Sequence, residues 1–237
     1  MKNYSAISMD RQMGPVNSLS GFQQLNIDLY LMTIRGRLIR KRVFDVLVSA
    51  MGLALLSPIL LWIAVIIEID TGGPVLFKQI RVGRNQKPFK IYKFRTMCND
   101  AEKRGMSITV GHDPRITKSG EFLRKYKLDE LLQLVNVFLG QMSFVGPRPE
   151  VPKYVEMYDD LQKNILKIRP GITDLASISY IDENDLLAES TDPEDTYIHE
   201  IMPKKIELNF EYINKLSISF DFRLILRTLL ALKEKRK

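Results

Sequence analysis

One uninterrupted apolar run constrains this chain more than any other feature. Residues 46–67 read VLVSAMGLALLSPILLWIAVII and carry no charged side chain. A helix that crosses a bilayer needs ~20 such residues. A core helix of a soluble domain normally keeps a polar face, so the run reads as a membrane segment ahead of a buried core helix. Ser57-Pro58 falls at its middle. Proline there removes a backbone donor and crowds the preceding turn, so a kink or break is expected. Both flanks are basic: Arg35, Arg37, Arg40, Lys41 and Arg42 precede the run, and Lys78, Arg81, Arg84, Lys87, Lys90 and Lys93 follow it. Positive charge favours the cytoplasmic side. A helix that enters, turns at Ser57-Pro58 and leaves on the same face satisfies both flanks. A spanning helix with a proline kink is the alternative, and these residues alone weigh the two evenly.

The length of 237 residues suits one substantial domain plus an attached element. The net charge of +7 suits nucleic acid, an anionic membrane surface or phosphorylated substrates. A single cysteine, Cys98, excludes an internal disulfide and fits a reducing compartment. His112 and His199 are far apart, which argues against zinc and leaves an oxygen-bound metal such as Mg²⁺. Residues 1–24 are polar and lack a signal-peptide pattern.

The expected fold class is α+β: a small mixed helical and strand domain docked on a re-entrant membrane helix, with interfacial amphipathic helices. Three regions are expected: a partly disordered extension over 1–37, the membrane helix over 38–72 and a domain over 73–237. Residues 27–39 suit a short surface helix. Short strands are expected at 75–77 and 89–94, separated by a Gly83-Arg84-Asn85 turn. A charged loop or helix end is expected at 100–105. Helical spacing runs from 120 to 138 and stops at Gly140. Pro147 and Pro149 should stiffen an extended connector. Helices are expected at 152–166 and 183–215, the latter broken at Pro193 and Pro203. Residues 216–237 form a basic amphipathic helix, with Leu224, Ile225, Leu229 and Leu232 on one face. It suits the membrane interface or packing on the core about equally.

Two clusters carry candidate chemistry. Asp129 and Glu130 are adjacent among Leu128, Leu131 and Leu132, which could bury part of that turn. One carboxylate can be a nucleophile while its neighbour orients a group or holds a metal. Alone, the pair is more simply a solvated helix surface. The second cluster is cationic: Lys93, Arg124, Arg148 between two prolines, and Arg169 before Pro170-Gly171. Arginine grips phosphate oxygens bidentately, and a neighbouring proline lowers the ordering cost.

These residues lie in longer motifs: Lys-Phe-Arg-Thr-Met at 93–97, Leu-Asp-Glu-Leu-Leu-Gln-Leu-Val-Asn-Val at 128–137, Gly-Gln-Met-Ser-Phe-Val-Gly-Pro-Arg-Pro at 140–149 and Arg-Pro-Gly-Ile-Thr at 169–173. Together with Lys-Arg-Val-Phe-Asp at 41–45 and Ser57-Pro58, the chain resembles the bacterial sugar transferase family over roughly residues 38–235. These are the monotopic polyprenol-phosphate phosphoglycosyl transferases, and the chain is similar to their small form. The resemblance implies that Asp129 attacks the β-phosphate of a UDP-sugar and releases UMP. Undecaprenyl phosphate then takes the sugar phosphate from the aspartate. It implies Glu130 as dyad partner, Mg²⁺ on the diphosphate with Asp129 near or on it, and Lys93, Arg124, Arg148 and Arg169 as cations near the phosphates. It further implies a break at Ser57 and Pro58, residence on the cytoplasmic face of the bacterial inner membrane, and downstream glycosyltransferases as partners. A homodimer stays open, and no nucleic-acid partner is implied. Asp174-Leu175-Ala176-Ser177 stands where many members carry Gly-Trp-Ala-Gln, so this stretch is a candidate for shaping the sugar or nucleotide pocket. The competing readings are a basic membrane-anchored adaptor, a nucleic-acid binder and a membrane phosphatase or kinase. No Walker-type loop or kinase signature is present.

Overall fold

The computed structural model describes residues 27–99, 101 and 113–234. The expected extension as far as residue 26, the charged segment at 100 and 102–105, His112 and the last three residues lie outside the described residues.

A short helix α1 (Ile27–Thr33) leads into α2 (Arg35–Thr71), which has 37 residues. At 1.5 Å per residue α2 would measure ~55 Å if straight. It is long and apolar enough to cross a membrane, and little of it is buried. The helical backbone continues through Pro58, so the kink or break expected there does not interrupt the helix. Pro58 cannot donate to the Ala54 carbonyl, and Ser57 Oγ donates to that carbonyl instead, at 2.8 Å. A serine hydroxyl thereby answers the backbone group that proline abandons. Leu47, Met51, Leu55, Leu61, Trp62, Val65 and Ile69 are exposed along α2. Lys41, Asp45, Ser49, Ile63 and Ile67 are buried against the rest of the molecule.

Gly72 ends α2 in the left-handed region at φ 55°, its N–H donating to Glu68 O. The expected hairpin follows, as β1 (Leu76–Val82) and β2 (Pro88–Phe94), antiparallel with Leu76 opposite Phe94. Its turn carries Asn85 at φ 57°, a conformation that asparagine tolerates better than most residues.

The single helix expected over 120–138 is instead three pieces. They are α3 (Lys118–Lys125), a 3₁₀ turn (Leu128–Glu130) and α4 (Gln133–Phe138). Apolar spacing ran on through the segment, but Lys127 adopts φ 55° and reverses the chain between α3 and the turn. Gly140, at φ 82°, ends α4 as expected.

Two short parallel strands come next, β3 (Ser143–Val145) and β4 (Gly171–Thr173), paired Ser143 to Gly171 and Val145 to Thr173. They approach so closely that a Cβ on Gly171 would lie 2.1 Å from Gly146 N. Between them α5 (Pro152–Val155) and a 3₁₀ stretch (Gln162–Lys167) replace the longer helix expected there. After β4 come α6 (Leu175–Ser179), α7 (Glu183–Ala188) and α8 (Pro193–Thr196). A π turn (Tyr197–Ile201) then leads into α9 (Met202–Asn214). Pro193 begins a helix here, and Pro203 sits in the first turn of α9, where its missing N–H costs little. The break expected at Pro203 is therefore absent.

The last helix, α10 (Ile218–Glu234), packs on the core near its start and is exposed farther along. Phe220 and Leu224 enter the main core beside Phe210, Tyr212 and Ile213, while Phe222, Leu226, Leu229 and Leu230 remain exposed. Leu229 was expected beside Leu224 on one face, but core contact ends nearer the helix start. A buried ion pair fastens α10 to α2: Lys41 Nζ lies 2.5 Å from Asp221 Oδ2. Tyr212 OH donates to Asp221 Oδ1 at 2.8 Å. Breaking a buried pair strands its partner's charge, at about 3–5 kcal/mol. Lys41→Met should lose stability of that order in urea unfolding in detergent micelles, and Lys41→Met/Asp221→Leu should recover most of it. A double variant no better than the single would contradict a paired role.

Candidate active site

Three chain segments converge on Glu130. The 3₁₀ turn supplies Asp129 and Glu130, β2 supplies Lys93, and the loop after β3 supplies Arg148. Lys93 Nζ lies 2.9 Å from Glu130 Oε1. Arg148 reaches both carboxylate oxygens, Nη2 to Oε1 at 2.5 Å and Nη1 to Oε2 at 3.3 Å. Arg148 Nη1 also donates to Ile172 O at 3.0 Å, and its backbone N–H donates to Asp174 Oδ2 at 2.9 Å. The parallel pairing of β3 and β4 makes this possible, because the loop after one strand meets the residue after the other.

Asp174 is a contributor of a kind the sequence did not reveal. It is completely buried, and its other oxygen caps α6 by accepting Ser177 N at 2.6 Å. Leu175 and Ala176 are buried as well. Asp174 therefore acts on the site by tethering the Arg148 loop.

Asp129 differs from its neighbour. It is 7 % exposed, and its Oδ1 has no hydrogen-bond partner. Leu128, Leu131 and Leu132 bury its turn against Ile63 and Ile67 of α2, together with Phe94 and Leu123. The end of α2 thus forms the floor beneath this carboxylate. Burial raises the Asp129 pKa, and the Glu130 charge raises it further against Lys93, Lys127 and Arg124. Burial alone would raise Glu130 too, but Arg148 and Lys93 hold it well below the usual carboxylate range. Two adjacent carboxylates are thus driven apart, a pattern typical of sites with divided roles.

Arg124, at the end of α3, donates from Nε to Thr96 Oγ1 at 2.8 Å and interacts electrostatically with Asp129. Lys93, Arg124 and Arg148 therefore come together around the Asp129-Glu130 turn. Arg169 does not join them. Its Nε donates to Gly140 O at 3.0 Å, and its charged neighbours are Arg84, Arg42 and Asp45. Arg-Pro-Gly leads directly into β4, and strand pairing sends that side chain toward the foot of α2. Ser57 and Pro58 lie within α2, where Ser57 Oγ bonds to Ala54 O. Among the described residues no group of three His, Cys, Asp or Glu could hold a metal. A divalent ion here would have Asp129 Oδ1 as its protein ligand, since Glu130 is occupied by two cations.

Glu130 has a lowered pKa in the folded state, so its ionised form stabilises the fold above the ordinary glutamate value of about 4.3. That contribution is lost as pH falls below this value toward the folded one. Glu130→Gln should cost about 3–5 kcal/mol at neutral pH and converge with the wild type under acid, followed by circular dichroism. Parallel pH profiles for the two proteins would remove the ion-pair assignment.

Comparison with known proteins bears on the same residues. The sequence model described as bacterial sugar transferase matches residues 36–235. The chain is 36% identical over 194 residues to an Aeromonas hydrophila UDP-N-acetylgalactosamine-undecaprenyl-phosphate N-acetylgalactosaminephosphotransferase, covering 80% of this chain and 42% of that protein. It is 38% identical over 192 residues to the Escherichia coli (strain K12) UDP-glucose:undecaprenyl-phosphate glucose-1-phosphate transferase, covering 79% and 39%. It is 38% identical over 203 residues to the exopolysaccharide production protein PSS of Rhizobium leguminosarum bv. phaseoli, covering 82% and 95%. The chain thus spans about two fifths of the length of the first two relatives and nearly all of the third. The matched region takes in the membrane helix, the Asp129-Glu130 turn, the Arg148 loop and α10 alike, and the chain belongs to the bacterial sugar transferase family.

Proposed function

We propose that this protein transfers a sugar 1-phosphate from a UDP-sugar to a polyprenol phosphate such as undecaprenyl phosphate, releasing UMP. The observation that carries the reading is the buried Asp129 carboxylate, with one oxygen unpartnered and three cations gathered around its turn. In the first step an Asp129 oxygen attacks the β-phosphorus. The bond from that phosphorus to the bridging oxygen breaks, and UMP leaves with the electron pair. In the second step an oxygen of the polyprenol phosphate attacks the same phosphorus. The aspartyl–phosphorus bond breaks and the carboxylate is restored. Burial leaves Asp129 weakly solvated, which strengthens it as a nucleophile. Glu130, with its pKa held low, is a poor proton acceptor, and its role is to hold Lys93 and Arg148 in position for the phosphates. Asp129 Oδ1 suits Mg²⁺, which commonly takes one or two carboxylates plus substrate phosphate oxygens; bound there, it supplies charge neutralisation of the diphosphate. The product would pass to downstream glycosyltransferases as the first membrane step of a surface glycan. An inert basic adaptor gives no reason for a desolvated, unpartnered carboxylate.

The membrane arrangement that fits is re-entrant, on the cytoplasmic face of the inner membrane. Two observations support it. Near the start of α2, Arg42 donates to Val137 O at 2.6 Å and Phe138 O at 2.8 Å, and Asp45 accepts from Phe144 N at 3.3 Å. At its other end, Asp70 accepts from Ser119 Oγ at 2.7 Å, and Thr71 accepts from Arg95. One soluble body grips both ends, which is hard to reconcile with ends on opposite sides of ~30 Å of hydrocarbon.

Asp129→Asn should reduce UMP release roughly a thousandfold or more, in an assay with a UDP-sugar panel, undecaprenyl phosphate and Mg²⁺. Mass spectrometry should find a sugar-phosphate adduct on Asp129 when the acceptor is withheld. A fully active Asp129→Asn would place the nucleophile elsewhere. Glu130→Gln should slow turnover by roughly a hundredfold. It should also move the acid limb of kcat/KM to lower pH, because a charge that raises the Asp129 pKa is gone; an unmoved limb would dissociate Glu130 from Asp129. Cysteines at Arg37 and Lys90, in a Cys98→Ser background, should label from the same side of sealed vesicles. Labelling from opposite sides would exclude re-entrance.

A further inference from the structure

A second cationic centre lies at the foot of α2, apart from Asp129. Arg42 contributes from α2, Arg84 from the hairpin turn and Arg169 from the segment before β4. They line a small cleft that opens to solvent. Lys41 also lines it, but its ammonium is committed to Asp221. Asp45 is the carboxylate facing these groups, and it already accepts a backbone N–H. Three guanidiniums therefore confront one carboxylate, an excess of positive charge in a partly enclosed space.

The guanidiniums are held in place by the protein's own carbonyls. Arg42 is fixed by Val137 O and Phe138 O, Arg84 Nε by Lys167 O at 3.1 Å, and Arg169 Nε by Gly140 O at 3.0 Å. Among the described residues, the terminal nitrogens of Arg84 and Arg169 have no acceptor. Burial lowers the proton affinity of Arg169, and the Arg84 and Arg42 charges lower it further. Such a cluster presents an excess of positive charge to an incoming anion. A second observation points to the same kind of ligand. Ser143 is completely buried and lines the cleft, and its hydroxyl has no hydrogen-bond partner. Native interiors rarely leave such a group unanswered. Several oxygens on one anion would satisfy the hydroxyl and the guanidiniums together, and a phosphoryl group has the matching charge and geometry.

The surroundings indicate where that phosphoryl group comes from. The carbonyls that fix Arg42 end at Phe138, which is exposed, as is Leu139 beside it. Ile39 and Val43, flanking Lys41 and Arg42 on α2, are exposed as well. The cations thus lie against an apolar rim, as they would at the boundary between headgroups and acyl chains.

We propose that this cleft binds the phosphate headgroup of an anionic phospholipid from the surrounding leaflet, as a site separate from the one at Asp129. A bound lipid would tie α2, the hairpin turn and the Arg169 segment together at the membrane surface.

The test uses the full chain in nanodiscs of equimolar phosphatidylcholine and phosphatidylglycerol, released into native mass spectrometry, and needs no turnover. The wild type should retain one phosphatidylglycerol in preference to phosphatidylcholine. Arg84→Gln/Arg169→Gln should lower the retained fraction roughly tenfold, as expected for about 1.4 kcal/mol. Exposed Arg84→Gln alone and Ser143→Ala, both small perturbations to folding, should each lower it by a smaller factor, and Lys90→Gln should leave it unchanged. Equal retention in the wild type, Arg84→Gln and Ser143→Ala would overturn the proposal. Indifference to lipid charge would do the same. Displacement by an equal concentration of inorganic phosphate would assign the cleft to a soluble anion and overturn the lipid source. Displacement by undecaprenyl phosphate at parity would make it part of the acceptor's path instead.

Discussion

The ion-paired clamp on Glu130 is the interaction on which the site depends. One carboxylate takes Lys93 from a strand and Arg148 from a loop, joining segments far apart in sequence. Each of these groups would be expensive to bury alone. Together they form a closed set, and the Arg148 backbone is tied in turn to Asp174. Because the clamp satisfies Glu130, the adjoining Asp129 can be left buried and unpartnered. The asymmetry between the two carboxylates follows from geometry, since Glu130 takes the direct ion pairs with Lys93 and Arg148 while Asp129 Oδ1 is buried without a hydrogen-bond partner.

That floor connects the chemistry to the membrane. Ile63 and Ile67, near the end of α2, pack beneath the turn that carries Asp129. The same helix is pinned at its start by Lys41–Asp221 and by Arg42 on the end of α4. The long apolar helix and the rest of the molecule therefore behave as one packed unit. A change in the seating of α2 would be felt directly at the carboxylate, because well-packed interiors transmit small displacements.

The chain also holds two cationic centres rather than one. Lys93, Arg124 and Arg148 gather at Asp129, whereas Arg42, Arg84 and Arg169 gather at the foot of α2. In sequence the four expected phosphate cations looked equivalent, each an arginine or lysine inside a motif. Spacing along the chain carries no information on which side of a parallel strand pair a residue faces. The pairing of β3 with β4 decides that, placing Arg148 on one side and Arg169 on the other.

Local chemistry made the membrane segment legible, because an uncharged run of that length has few other uses. The hairpin, the stop at Gly140 and the amphipathic character of α10 could likewise be read from residue order, whereas the Asp129-Glu130 pair stood out only through the family resemblance. Other features depended on distant contacts. Apolar periodicity suggested one helix over 120–138, yet the left-handed Lys127 divides it, and periodicity does not record a single dihedral. The Ser57-Pro58 break was expected because proline lacks a donor, but a neighbouring hydroxyl answers the freed carbonyl and the helical backbone continues. Residue order thus determined that the chain has a helix long and apolar enough to cross a membrane and carries an acidic pair with many cations. Only the tertiary structure decided which carboxylate is clamped and which is left bare, because burial and ion pairing are properties of neighbours in space.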